Sequence, residues 1–228
     1  KVFQHKLQKS ARGEFEIVDY LNFLLVKKEK VFVEKVSAYW FPIGYPWDLL
    51  TVNEFFVSGL KESKILGTVE ENVHIKGKII LGKGSVLKSG TYIEGNVVFG
   101  ENCEIGPNCY IRGNTSIGDK CKIGQAVEVK NSTIGDGTKI PHLSYFGDSV
   151  IEDNCNFGAG TIVANLRHDH GTVNSLVKGE KINSGRKKLG IFCGDNVKTG
   201  INTSFYPGIK IWPGQTTLPG EIVKEDKD

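Results

Sequence analysis

From Val69 onward an apolar residue returns at every sixth position: Val69, Ile75, Leu81, Leu87, Ile93, Phe99, Ile105, Ile111, Ile117, Ile123 and Val129. The spacing shortens to five at Ile134, resumes at Ile140 and Phe146, shortens again at Ile151 and continues through Phe157 and Val163. After an interruption it returns as Cys193, Thr199, Phe205, Ile211, Thr217 and Val223. Four places after a lead residue sits a small or β-branched one, as at Ser85, Thr91, Cys103, Cys109, Thr115, Cys121 and Cys155, and Gly commonly follows the lead, as at Gly82, Gly100, Gly118 and Gly135. A period of six matches neither the 3.6 of a helix nor the 2 of a strand, so it marks a repeated short strand and turn. Three such hexapeptides form a coil, and coils stacked at the strand spacing of roughly 4.8 Å form a parallel β-helix. The lead residues fill its interior and the small residues fit its corners.

Residues 1–62 lack the repeat. They hold an acidic-hydrophobic segment from Arg12 to Asp19, a strand expected over 31–36, and a helix opening at Pro46-Trp47, with Leu49, Leu50, Val52, Phe55, Phe56 and Leu60 at helical spacing. Some 60 residues make a thin core, so this part reads as the tail of a larger domain. A second departure, 167–188, carries His168, His170, Arg186, Lys187 and Lys188. Insertions in solenoids project as loops from one face, often the functional one.

Composition refines this picture. The 28 glycines in 228 residues belong largely to the hexapeptide turns. Apolar residues recur throughout and the net charge is only +3, which excludes a disordered chain and gives no electrostatic case for nucleic acid. No stretch approaches the roughly 20 apolar residues of a membrane span. Five cysteines without CxxC spacing suggest a reducing, cytoplasmic setting; four fall in small corner slots and Cys193 in a lead slot, as buried thiols. The chain opens on Lys1 and holds no Met, which reads as a piece of a longer protein.

The repeat also lets outward residues be stacked. Arg112 follows lead Ile111 and Lys130 follows lead Val129 one coil later, so two cations lie side by side. At roughly 5 Å and an effective dielectric near 20 they repel by about 3 kcal/mol if half-buried, and an anion between them turns that cost into binding. Tyr145 falls over Glu128, Asn156 falls over Lys139, and His142 stands two places after lead Ile140, outside the core slots. Outward charges on a solenoid are ordinarily solvated and a lone histidine is ordinarily a surface or contact residue. Gathered in one patch, however, these groups suit a phosphorylated sugar and a general base. His168 and His170 form an HxH pair that lacks a third metal ligand at suitable spacing.

Hexapeptide repeats of this pattern resemble those of the left-handed β-helix acyltransferases. More specifically, Glu128-Val-Lys130, Ile140-Pro-His142-Leu-Ser-Tyr145-Phe-Gly-Asp148 and Asn156-Phe-Gly-Ala-Gly-Thr161-Ile-Val-Ala-Asn165 resemble the acetyltransferase half of the bifunctional N-acetylglucosamine-1-phosphate uridylyltransferase/glucosamine-1-phosphate N-acetyltransferases. The loop ending Ser184-Gly-Arg-Lys-Lys-Leu-Gly190 is closer to the archaeal branch of these sugar-1-phosphate nucleotidylyltransferase/acetyltransferases. The resemblance covers about 65–223. Arg12–Asp19 and Trp40–Asp48 resemble the end of the family's nucleotidylyltransferase domain, whose glycine-rich loop is absent from this sequence and whose usual metal-binding Asp is replaced by Pro42.

The resemblance implies an all-β, left-handed parallel β-helix over 63–228, with the inserted loop 167–188, preceded by the C-terminal remnant of an α/β nucleotidylyltransferase domain over 1–62. It implies an acetyl-CoA-dependent N-acetyltransferase of glucosamine-1-phosphate or galactosamine-1-phosphate, with Mg2+ needed only by the nucleotidylyltransferase half. His142 becomes the general base and Glu128 the carboxylate that orients it. Arg112, Lys130, Tyr145 and Lys188 hold the sugar phosphate and Asn156 the sugar. Ala159, Asn165, Leu166, Ile201 and Pro219 fall on coenzyme contacts, the last three departing from the family's usual Tyr, Ser and Ala. A homotrimer with sites at subunit interfaces is implied too, letting Asn165 and Lys188 act across chains. The alternative is a non-catalytic trimerisation and regulatory β-helix of a nucleotidylyltransferase.

Overall fold

The computed structural model describes residues 8–11 and 13–228, so Arg12 lies outside the described residues. The chain divides into two compact units, Lys1–Phe41 and Pro42–Asp228. In the first, helix α1 (Ile17–Val26) begins inside the acidic-hydrophobic segment and runs past its end at Asp19, where no helix was expected. The strand expected over 31–36 is not made: Phe32 and Val33 are about 90% exposed, and no described strand pairs with the segment. β-branched residues favour an extended strand only where a neighbour can complete the hydrogen-bond ladder.

The second unit is a parallel β-helix. Its first sheet stacks eight strands from Lys64–Ile65 to Lys210–Ile211, its second stacks five from Thr68–Val69 to Lys139–His142, and its third stacks eight from His74–Lys76 to Ile222–Val223. Ile93 pairs with Ile111 and Ile111 with Val129, an 18-residue step. Across the shortened spacings Val129 pairs with Phe146 and Ile134 with Ile151, a 17-residue step that keeps every lead residue inward. The interior is continuous from Leu81 to Val223. All five cysteines are buried and free, and burial pushes the Cys109 thiol up to about 11. The two threonines in lead slots, Thr199 and Thr217, are satisfied by hydroxyl partners, Thr161 at 3.0 Å and Thr203 at 2.7 Å.

Corner conformation explains the Gly and Asn that stand just before several of the small residues. Between the second and third sheets Asn72, Gly90, Asn108, Ala126, Leu143, Gly160, Asn202 and Gly220 all have positive φ and stand in one column. Gly and Asn tolerate this left-handed region; for other residues it costs about 1–2 kcal/mol. The glycines that follow lead residues serve close approach instead. A Cβ on Gly118 would lie 2.2 Å from Asp136 Oδ1 and 2.9 Å from Asp136 N, and that carboxylate already accepts the Asp119 N–H at 2.7 Å. Gly118→Ala should therefore destabilise the protein by about 1–3 kcal/mol, read as a lower urea midpoint at unchanged slope.

Helix α2 (Asp48–Ser58) is the helix expected from Pro46 onward. The Asp48 carboxylate accepts the N–H groups of Gly44 and Tyr45, each at 2.8 Å. The helix lies on the outside of the first sheet, where Asn53 donates to the Asn114 carbonyl at 2.6 Å and accepts from the Ser116 hydroxyl at 2.5 Å. It therefore belongs to the β-helix unit, whose compact boundary falls at Phe41/Pro42 rather than at the end of the non-repeating sequence near 62. The insertion 167–188 is not all loop. Asn174–Val177 and Glu180–Asn183 form an antiparallel hairpin, turned by Lys178 and Gly179, both at positive φ as such two-residue turns require. Val173, Leu189 and Phe192 pack there with Trp47 and Leu50.

Candidate active site

Strand register assembles the outward patch. On the third sheet Arg112 pairs with Lys130 and Lys130 with Gly147, while Tyr110, Glu128 and Tyr145 form the adjacent row. Lys139 pairs with Asn156 on the second sheet. These three stackings are the ones the repeat arithmetic places.

The side chains then pair within the patch. Arg112 Nε donates to Glu128 Oε1 at 2.7 Å, and its guanidinium lies 5.3 Å from the Tyr110 ring centroid. Lys130 Nζ reaches both oxygens of Asp148, at 2.9 and 3.2 Å. The expected repulsion between Arg112 and Lys130 is thus relieved by two carboxylates before any ligand arrives. Asn165 Nδ2 donates to Tyr145 Oη at 3.0 Å and to Asp148 Oδ2 at 2.6 Å. Burial first, and then the Glu128 charge, hold the Tyr145 phenol above its ordinary range. The phenol stays protonated at neutral pH, and its own O–H remains available to donate.

Glu128 does not orient His142 within the chain. It stands in the row with Tyr110 and Tyr145 and is taken by Arg112, whereas His142 ends strand Lys139–His142 on the other side of the corner. The imidazole is exposed and makes no hydrogen bond or ion pair with any described residue. Leu143, the next residue, takes φ 41 and points an apolar side chain outward, 64% exposed.

The positions that the resemblance assigns to the coenzyme separate into two groups. The ladder Lys139, Asn156, Lys198, Thr216 puts His142, Ala159, Ile201 and Pro219 three residues further along, in one corner column. Asn202 N donates to the Ala159 carbonyl and Gly220 N to that of Ile201, each at 2.8 Å, which continues the column. Asn165 and Leu166 stand past the far end of the third sheet, where Leu166 bridges to exposed Lys188. Asn165 bonds Tyr145 and Asp148 of its own chain. Sequence reasoning quoted Asp148 within a motif and gave it no role. A signal was there: an acidic residue in a corner column otherwise begun by Gly77, Gly95 and Gly113. Exposed His168 and His170 join no group of three metal-ligating side chains among the described residues. No described helix is long and apolar enough to cross a membrane.

Residues 93–205 match the family described as GMPPB C-terminal domain. The chain is 50% identical over 221 residues to a bifunctional sugar-1-phosphate nucleotidylyltransferase/acetyltransferase of Sulfurisphaera tokodaii, a match covering 97% of this chain and 55% of that protein. It is 54% identical over 219 residues to the bifunctional protein GlmU of Methanococcus maripaludis strain C7, covering 96% and 52%. The chain spans about half the length of these curated relatives. Among solved structures, the acetyltransferase domain of PglB from Neisseria gonorrhoeae matches with a TM-score of 0.33 at 11% identity, over 72% of this chain and 53% of that one. With such identity over nearly all of its residues, the chain is homologous to the bifunctional sugar-1-phosphate nucleotidylyltransferase/acetyltransferases over about half of their length.

Proposed function

We propose that this chain transfers an acetyl group from acetyl-CoA to the amine of a hexosamine 1-phosphate, glucosamine-1-phosphate or galactosamine-1-phosphate, in cytoplasmic nucleotide-sugar synthesis. The observation that carries this reading is the patch itself. Two half-buried cations and a protonated phenol share one sheet face, the Asn165 amide bonds that phenol, and the histidine at the adjoining corner is engaged by no described side chain. The Arg112 terminal nitrogens and the third Lys130 hydrogen remain to donate to a phosphate. Asn156, in the His142 corner's strand ladder, is placed for sugar hydroxyls.

In the reaction the neutral amine attacks the thioester carbonyl and an N–H proton passes to His142. The tetrahedral oxyanion collapses as the C–S bond breaks, and the leaving thiolate takes a proton, giving the amide and free CoA. Glu128 acts on Arg112, fixing the guanidinium, rather than on the imidazole. Ala159, Ile201 and Pro219 line the coenzyme's path above His142. Asn165, Leu166 and Lys188 stand at the opposite corner. A trimer that set one chain's corner against its neighbour's would bring both groups to a single coenzyme.

Release of free thiol from acetyl-CoA in the presence of either hexosamine 1-phosphate tests the reading. Failure with both favours the non-catalytic trimerisation role. Arg112→Ala should raise KM for the sugar phosphate about tenfold or more, as expected for losing charge-assisted hydrogen bonds, and change KM for acetyl-CoA little. Initial-rate kinetics varying each substrate in turn check it.

A further inference from the structure

We infer that Asp148 is a positioning residue, a buried clamp that sets the Lys130 ammonium and the Asn165 amide in the geometry the sugar-phosphate site uses. The inference rests on the acetyl-transfer reading above and adds a residue to it. Asp148 is 4% exposed at its side chain, yet it is a carboxylate. Burying such a charge is costly unless it is paired and fully hydrogen-bonded, and here it is. Oδ1 accepts from Asn131 Nδ2 at 2.9 Å and Lys130 Nζ at 3.2 Å; Oδ2 accepts from Asn165 Nδ2 at 2.6 Å and Lys130 Nζ at 2.9 Å. Three side chains from the two coils that flank it therefore converge on one group.

Placement along the solenoid argues for more than packing. The corner between the third and first sheets is turned by Gly77, Gly95 and Gly113 in the lower coils, which carry no side chain at all. It changes to Asn131 and then Asp148, both at positive φ, only at the coils that carry Lys130 and Tyr145. Asparagine or glycine would satisfy the turn there, so the carboxylate is not demanded by backbone conformation.

The clamp is also braced from outside the repeat. The second hydrogen of Asn131 Nδ2 reaches Glu54 Oε1 on α2 at 2.7 Å, and Glu54 pairs with Arg186, which also donates to Thr51 Oγ1 at 3.2 Å. The helix preceding the repeat and the end of the inserted segment thus meet at one carboxylate, one side chain away from Asp148. With two of its three hydrogens held by Asp148, Lys130 is left one donor in a fixed direction.

Kinetics on Asp148→Asn, Lys130→Met and the double variant test this, with melting temperature measured alongside. Asp148→Asn should raise KM for the hexosamine 1-phosphate about tenfold with little change in KM for acetyl-CoA, and should add less than about twofold when Lys130 is already Met. Factors that multiply, or a lowered melting temperature with unchanged KM, overturn the clamp in favour of a structural role. If Asp148→Asn does not fold, Asn131→Ala replaces it: a KM increase of about threefold that vanishes in the Lys130→Met background supports the clamp, and an unchanged KM overturns it. A wild-type chain with no turnover on either sugar defeats the acetyl-transfer reading instead. The same cycle is then read by calorimetric titration with glucosamine-1-phosphate, and absence of wild-type binding overturns both.

Discussion

Replacing His142 by Ala should lower kcat for acetyl transfer by about 10²–10⁴-fold, the usual loss when a positioned general base is removed. The imidazole is exposed and bonds no described side chain, so its removal leaves the β-helix intact. KM for both substrates should stay near the wild-type values, since the proposed phosphate ligands, Arg112 and Lys130, lie on the neighbouring sheet. Rapid-quench or steady-state rates, with a melting curve as the folding control, decide it. Turnover at the wild-type rate would remove His142 as the base.

The second large effect is on stability. Phe146 is fully buried beneath the site and meets the Phe157 ring edge-on, with centroids 4.6 Å apart. Its neighbours Tyr145 and Gly147 belong to the outward patch. Phe146→Ala removes a ring from a narrow interior that stacked coils above and below prevent from collapsing, and should cost about 3–5 kcal/mol. A denaturant titration at constant slope measures it. A loss under about 1 kcal/mol would mean that the prism interior is not packed as described. Activity should fall with it, because the coil carrying Tyr145 rests on this ring.

What the sequence could and could not show follows from the physics of each level. Register was legible: a fixed repeat converts residue numbers into stacking, so Arg112 beside Lys130, Tyr145 over Glu128 and Asn156 over Lys139 follow from counting, even through the shortened spacings. Side-chain partners were not. Glu128 could reach either corner from its row, and only the rotamers decide that it takes Arg112 and leaves His142 free. Asp148 needed the left-handed corner conformation to turn its carboxylate onto Lys130. Outside the repeat no such counting exists. The apolar 31–36 segment has strand-forming residues but pairs with no described strand, whereas the hairpin of 174–183 pairs with itself. Its Lys178-Gly179 turn was the available signal. The unit boundary moved to Phe41/Pro42 because α2 is held by side-chain contacts to the coils, through Asn53 and Glu54, that periodicity does not encode.

The most direct test of the account follows the acetyl group itself. The chain is incubated with acetyl-CoA labelled in the acetyl carbon and with glucosamine-1-phosphate or galactosamine-1-phosphate, and the product is examined by mass spectrometry and NMR. The account predicts label in an amide at the amino nitrogen of at least one sugar phosphate, one free thiol formed for each label transferred, and almost none of either with His142→Ala. A folded chain that transfers no label to either sugar, or that places it on a hydroxyl oxygen, would contradict it.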